Sequence, residues 1–327
     1  MRFYKMLLWT IYVVPAYFLG TEAWLFKTKN HAVTATGCVR CYNDPMPYVK
    51  IKLMDKDSLF DDHMGTARAN SNGCFTVHGS GRDGLTGTPE PFIRVEYEYS
   101  GYYGKMEVEY IVFGKNRHGK TSHRSYSRNV NFGTFRFSSI HCKAYVLFYN
   151  AMKDFKSRSG ETLPGGYLHV RTGVLIHGGT PYATTNIVRI PNSYSASQLT
   201  YATAKHELAH IFRHRYDGNG AHFSWDAVRF WYMRSHTCAT NSNYGYAFNE
   251  GWAEYWARTC LASSYGGSAT NYKIEGNVAN GLRRLSARCP NTRNDARFVQ
   301  VLKRNRGNIH SFHSFNYRFK QLYNCGF

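Results

Sequence analysis

From Ala32 to about Phe137 the chain alternates apolar and polar residues in short runs separated by turn formers, which predicts antiparallel strands. Val49-Lys50-Ile51-Lys52-Leu53-Met54 keeps a period of two, and further strands are expected at Cys74–Val77, Phe92–Tyr97 and Met106–Tyr110. Asn70-Ser71-Asn72-Gly73 has the composition of a hairpin turn. Asp55, Asp57, Asp61 and Asp62 lack the spacing of a helix-loop-helix calcium site and suit a solvated loop. The period changes at Ser138–Cys142, beyond which Ala144, Leu147, Ala151, Met152 and Phe155 recur at helical spacing. A domain boundary near residue 140 follows. Strands are then expected at Tyr167–Ile176 and Asn186–Ile190, and helices near Ser197–His214, Phe223–Met233, Ala247–Ala262 and Asp295–Arg304. The expected architecture is multidomain, an all-β sandwich followed by an α/β unit rich in helices.

The length of 327 residues suits two domains. Arg2 and Lys5 precede an apolar stretch from Met6 to Leu19, with Gly20 and Ala23 near a cleavage point, so residues 1–23 read as a secretory signal. That stretch is short for a bilayer span and contains Pro15, and no later segment is long and apolar enough to span. The expected domains are then 24–140 and 141–327, in a secreted chain with no membrane span after signal removal. Cys38, Cys41, Cys74, Cys142, Cys238, Cys260, Cys289 and Cys325 all lie beyond the signal, an even number that favours disulfides in an exported protein. They divide four and four, and each set allows three pairings. Cys38 and Cys41 form a C-x-x-C without a second pair at zinc-site spacing, so each is expected to pair elsewhere.

Net charge is +20, most of it beyond residue 142. Such a surface favours anionic extracellular partners such as sulfated glycans or anionic lipid, and nucleic acid is disfavoured for an exported chain. Arg283, Arg284, Arg288, Arg293, Arg297, Lys303, Arg304 and Arg306 form a basic tail that suits either an anion-binding face or a solvated surface.

The chemistry concentrates in His206-Glu207-Leu208-Ala209-His210. Histidines at i and i+4 leave one helix face together, and the intervening glutamate stands where it can take a proton from a metal-activated water. With 15 His and 11 Glu in the chain, about 0.02 such matches arise by chance. One zinc ion per chain is the implied cofactor, and a third protein ligand must leave a coordination position open. Arg213 and Tyr216 stand where one zincin class needs Gly and His, which excludes that class. His214 and Asp217 fall in the wrong helical register. Glu250, on a second expected helix in Asn249-Glu250-Gly251-Trp252-Ala253-Glu254, is the better third ligand. His222, His236, Tyr232, Tyr244 and Tyr246 lie between the two helices, and His236 and Tyr246 are the favoured catalytic stabilisers of a developing oxyanion. The strand Asn186–Ile190 suits either a substrate-binding sheet edge or a plain core strand.

These two helices resemble the gluzincins, the thermolysin-like zinc peptidases, whose second helix carries N-E-x-x-x-D. The resemblance implies that Glu250 binds zinc and that Glu254, in place of the Asp, supports a ligand histidine. It implies a zincin-like domain that hydrolyses a peptide or protein substrate. The first half resembles the nematode transthyretin-like family through Thr36-Gly37-Cys38-Val39-Arg40-Cys41, Val49 to Gly65 and Asn70 to Gly79. That resemblance implies an extracellular β-sandwich and no catalysis. The competing expectation is an extracellular binding protein on a catalytically silent zincin scaffold.

Overall fold

A computed structural model describes residues 30–57, 60–82, 87–110, 117–175, 179–184, 186–218, 225 and 236–327. The expected signal falls outside the described residues, as does the expected helix Phe223–Met233 apart from Trp225.

The first region is β-rich. Its strands are β1 Asn30–Cys41, β2 Asp44–Pro45, β3 Lys50–Asp55, β4 Asp62–Arg68, β5 Cys74–Arg82, β6 Pro91–Glu96, β7 Glu98–Gly101, β8 Gly104–Tyr110, β9 His118–Lys120 and β10 Asn129–Phe137. One sheet runs β10-β1-β2 with β5 also paired to β1, and a second runs β4-β3-β6-β9. The alternation in β3 has a direct cause. Ile51 and Leu53 are fully buried, whereas Lys50 and Lys52 on the other face pair with Glu96 at 3.2 and 2.7 Å.

The turn at Asn70–Gly73 forms, but it is not a hairpin. The Asn70 side chain accepts from the amides of Asn72 and Cys74 at 2.9 and 3.0 Å, and Gly73 takes φ 77. The strands it joins, β4 and β5, belong to different sheets. They cross so closely that a Cβ on Gly65 would sit 2.2 Å from the His78 carbonyl oxygen, which only glycine permits. Asp55 corrects another expectation: it is buried, and accepts from the Glu90 amide at 2.7 Å.

A helical region follows, with α1 Ile140–Ser159, β11 Leu168–Val174, β12 Tyr182–Ala183, β13 Ile187–Pro191, α2 Tyr201–Asp217, α3 Tyr244–Ala257, α4 Glu275–Arg288, α5 Asn294–Arg304 and α6 Phe312–Tyr323. Helix α6 was not expected from the sequence, and α4 was expected only as one of two helices carrying the arginines from Arg283 to Arg306, not from Glu275. Gly276, Asn277, Asn280 and Gly281 give α4 poor helix propensity, and it is held instead by buried contacts such as Asn277 Nδ2 to the carbonyls of Tyr265 and Ser268. The aromatic-rich α6 packs Phe312, Phe315 and Phe319 into the core.

A third sheet, ordered β12-β13-β11-β8-β7, crosses the expected boundary near residue 140, because β8 pairs in parallel with β11. Its buried face, with Met106, Val108, Leu168 and Val170, joins one continuous core with α1. The Cys41–Cys142 disulfide also ties the end of β1 to the first turn of α1. The other disulfides are Cys38–Cys74, Cys238–Cys260 and Cys289–Cys325. Strand β13 is not a bare sheet edge, since β12 pairs with it at Val188 and Arg189.

Candidate metal centre

Helix α2 is delimited by local chemistry. Thr200 caps it by accepting from the Thr203 amide at 3.1 Å, and Gly218 closes it at φ 71. Its apolar side carries Leu208, Ile211 and Phe212 into the core, and Phe212 stacks on Phe155 of α1. Helix α3 begins at Asn243, which accepts from the Tyr246 amide at 2.8 Å. Trp252 then locks the two helices together, donating its indole N–H to the Ala209 carbonyl at 3.2 Å. Gly251 lets α4 approach from the other side, since a Cβ there would lie 2.4 Å from Val278.

This packing brings three donor atoms together from two helices. His206 Nε2 lies 3.1 Å from His210 Nε2, and Glu250 Oε2 lies 3.2 and 3.3 Å from those nitrogens. A tetrahedral ion with bonds of 2.0–2.1 Å separates its ligands by about 3.3 Å, so the spacing fits zinc. Glu250 Oε2 is buried with no hydrogen-bond partner despite its imidazole neighbours, as befits an oxygen arranged for a cation. Glu254 Oε1 faces the remaining nitrogen of His206, Nδ1, at 3.4 Å. That is where a carboxylate orients a ligand imidazole.

His236 approaches the same Glu250 oxygen, its Nε2 3.6 Å from Oε2, and its ring lies 6.4 Å from that of His206. It is outside the set of His206, His210 and Glu250, whose ligand atoms all lie within 4.8 Å of one another. Its other nitrogen, Nδ1, is held at 2.8 Å by Oε2 of Glu275, a fully buried carboxylate on the first turn of α4. Sequence reasoning missed Glu275, because its one signal was an acidic residue opening a Gly- and Asn-rich segment. The His236 loop is anchored by the Cys238–Cys260 disulfide and by the Gly276 amide, which donates to the Cys238 carbonyl at 2.9 Å. Tyr246 is buried with its ring edge-on to His236 at 5.8 Å. Tyr244 is exposed and stacks edge-on with His313, away from this group; His222 and Tyr232 lie outside the described residues.

The electrostatics follow from burial and crowding. Burial opposes charge on His206, but Glu250 and Glu254 outweigh it and hold its pKa well above the ordinary value. Burial also opposes charge on Glu250, and the three imidazoles nonetheless keep it ionised. Burial raises the Glu207 carboxyl, giving it greater proton affinity than an exposed glutamate. Burial raises Glu275 to about 7, and His236 rises to about 9 because Glu250 and Glu275 overcome its desolvation.

A second cluster serves as a contrast. His169 Nδ1 lies 2.8 Å from Glu107 and 2.6 Å from Glu109, distances of hydrogen bonding rather than of ligands spread around an ion. Asp217, in the wrong register for the centre, accepts instead from the Gly307 amide at 2.8 Å.

Residues 36–102 match the transthyretin-like family, a span that covers β-rich sequence through β7, leaves out β8, β9 and β10, and stops short of the candidate metal centre. No curated protein matches the chain. Among solved structures the chain is similar to a 9R-lipoxygenase from Cyanothece PCC8801, with 14% identity over 39% of this chain and 24% of that one, at a TM-score of 0.22. A likeness at that level assigns neither fold nor activity. Four disulfides, and no helix among the described residues long and apolar enough to cross a membrane, are compatible with an extracellular protein.

Proposed function

We propose that the chain is a secreted zinc-dependent peptidase of gluzincin type, with a transthyretin-like β-sandwich preceding the catalytic region. The observation that carries this reading is the 3.1–3.3 Å triangle of His206 Nε2, His210 Nε2 and Glu250 Oε2. Those three residues would hold the ion and leave a fourth position open, the arrangement of a hydrolytic rather than a structural zinc site. When bound, zinc supplies Lewis acidity that polarises a carbonyl and eases deprotonation of water.

The remaining work falls to the chain's own side chains. Glu207, buried between the two histidines on α2 and raised in proton affinity, takes the proton from the attacking water and passes it to the leaving amine. Glu254 fixes the ring plane of His206. His236 holds its Nε2 toward the centre because Glu275 fixes Nδ1, so it can donate to an oxyanion developing on the scissile carbonyl. Tyr246, edge-on to that ring, limits its rotation.

The test is metal analysis of the purified protein together with cleavage of a peptide library. One zinc per chain, with cleavage abolished by a chelator and restored by zinc, is the expected result. Zinc-free protein, or chelator-insensitive cleavage, would exclude the reading.

A further inference from the structure

Away from the metal centre, a cleft of about 450 Å³ opens where the C-terminal end of α3 meets α4 and the start of α5. Three guanidinium groups line it, those of Arg158, Arg258 and Arg283, against the single carboxylate of Asp295. Asp295 is already satisfied. Arg158 Nε pairs with it at 2.8 Å, and the Tyr255 hydroxyl donates to its other oxygen. Arg283 donates to the carbonyls of Thr259 and Cys260 and to Asn280, all uncharged. Among the described residues neither Arg283 nor Arg258 forms an ion pair with a carboxylate, although Glu254 acts on Arg283 through space, so the cleft lining stays net positive.

Two further features point the same way. The first turn of α5 lines the cleft at Asn294 and Asp295, and the residue before it, Arg293, makes no side-chain cap. The positive end of that helix dipole therefore adds to the field of the arginines. Arg258 stands at the C-cap of α3 with φ 59 and ψ 45, a left-handed position that Gly or Asn fills at lower cost. Its long cationic side chain is exposed at the cleft.

We propose that this cleft binds the sulfate ester of an extracellular sugar. Its volume exceeds that of a bare ion and suits a sugar-sized ligand. The exposed Arg258 guanidinium offers the paired N–H groups that suit a tetrahedral oxyanion, Arg283 adds positive charge beside it, and Ser286, Asn291 and Thr292 on the lining offer hydroxyl and amide partners for sugar hydroxyls. The inference does not depend on the peptidase reading.

Binding is measured by titration calorimetry on the full chain with a sulfated disaccharide, its unsulfated counterpart, a phosphomonoester and inorganic sulfate. Arg258→Asn removes one guanidinium while suiting the left-handed backbone. Thr292→Asp adds a negative charge at an exposed lining position. Arg124→Asn, at an exposed position in the β-rich region, is the control for loss of net charge alone. Affinity for the sulfated disaccharide should fall about tenfold or more in the first two variants and stay within about twofold in the third. Equal losses in Arg258→Asn and Arg124→Asn would overturn the site in favour of diffuse charge. Binding no tighter to the sulfated than to the unsulfated sugar, or tighter to the phosphomonoester or inorganic sulfate, would overturn the sulfated-sugar assignment.

Discussion

The Nε2 atoms of His206 and His210 stand 3.1 Å apart on one face of α2, with Glu250 Oε2 across from both. Three groups that would otherwise crowd charge into a buried space are thus spaced as ligands. Glu250→Ala should drop retained zinc from one per chain to near zero after dialysis. Glu254→Ala should keep the stoichiometry but weaken affinity about 10–100-fold, since it acts through His206. Competition with a chromogenic chelator measures both, and unchanged affinity in Glu250→Ala would remove the third ligand.

On the proposed reading His236 faces the reacting carbonyl and Glu275 holds it in place. His236→Ala should retain zinc and lower kcat by about 10²–10³-fold, the usual effect of losing an oxyanion donor. Glu275→Gln should lower kcat less and leave KM nearly unchanged, because it positions His236 without touching substrate. Steady-state kinetics with metal analysis distinguishes these outcomes from simple loss of the ion.

The sheet shared by the two regions titrates. Burial and the neighbouring Glu109 raise Glu107 to about 7, while Arg171, Glu107 and His169 outweigh burial and lower Glu109, so the pair shares one proton with His169 beside it. A carboxyl raised on folding contributes stability that is complete below its unfolded value of 4.5 and is lost as pH rises through about 7. Denaturation midpoints should therefore decline across that window, and Glu107→Gln should flatten the decline. Partial exposure of Glu107 keeps the effect modest.

The Cys41–Cys142 disulfide closes the longest loop of the four, joining residues 101 apart. Replacing both cysteines with alanine should destabilise the protein by about 2–5 kcal/mol, read from urea denaturation. The other three disulfides lie within single regions, so the β-rich and helical parts should come apart more readily in this variant under limited proteolysis.

The period-two runs and the His206–His210 spacing made the strands and one face of α2 legible in advance, because each depends on residues close in the chain. Glu250 was also legible, since a glutamate among Phe248, Trp252 and Ala253 on an apolar helix needs a partner. Glu275 was not. Its helix contains Gly276 and Gly281, whose value lies in close packing: a Cβ on Gly276 would meet Tyr265 and the Cys238 carbonyl. The parallel pairing of β8 with β11 was equally hidden, because residues so far apart in the chain leave no local period. The turn at Asn70–Gly73 was read correctly as a turn and wrongly as a hairpin, since turn chemistry does not say which sheet the next strand joins.

The most direct test is Glu207→Gln, which preserves the shape of α2 but removes the carboxylate between the two histidines. The expected result is a folded protein with one zinc per chain and peptide cleavage reduced by at least about 10²-fold. Cleavage equal to that of the unmodified protein, with zinc still bound, would contradict the catalytic assignment.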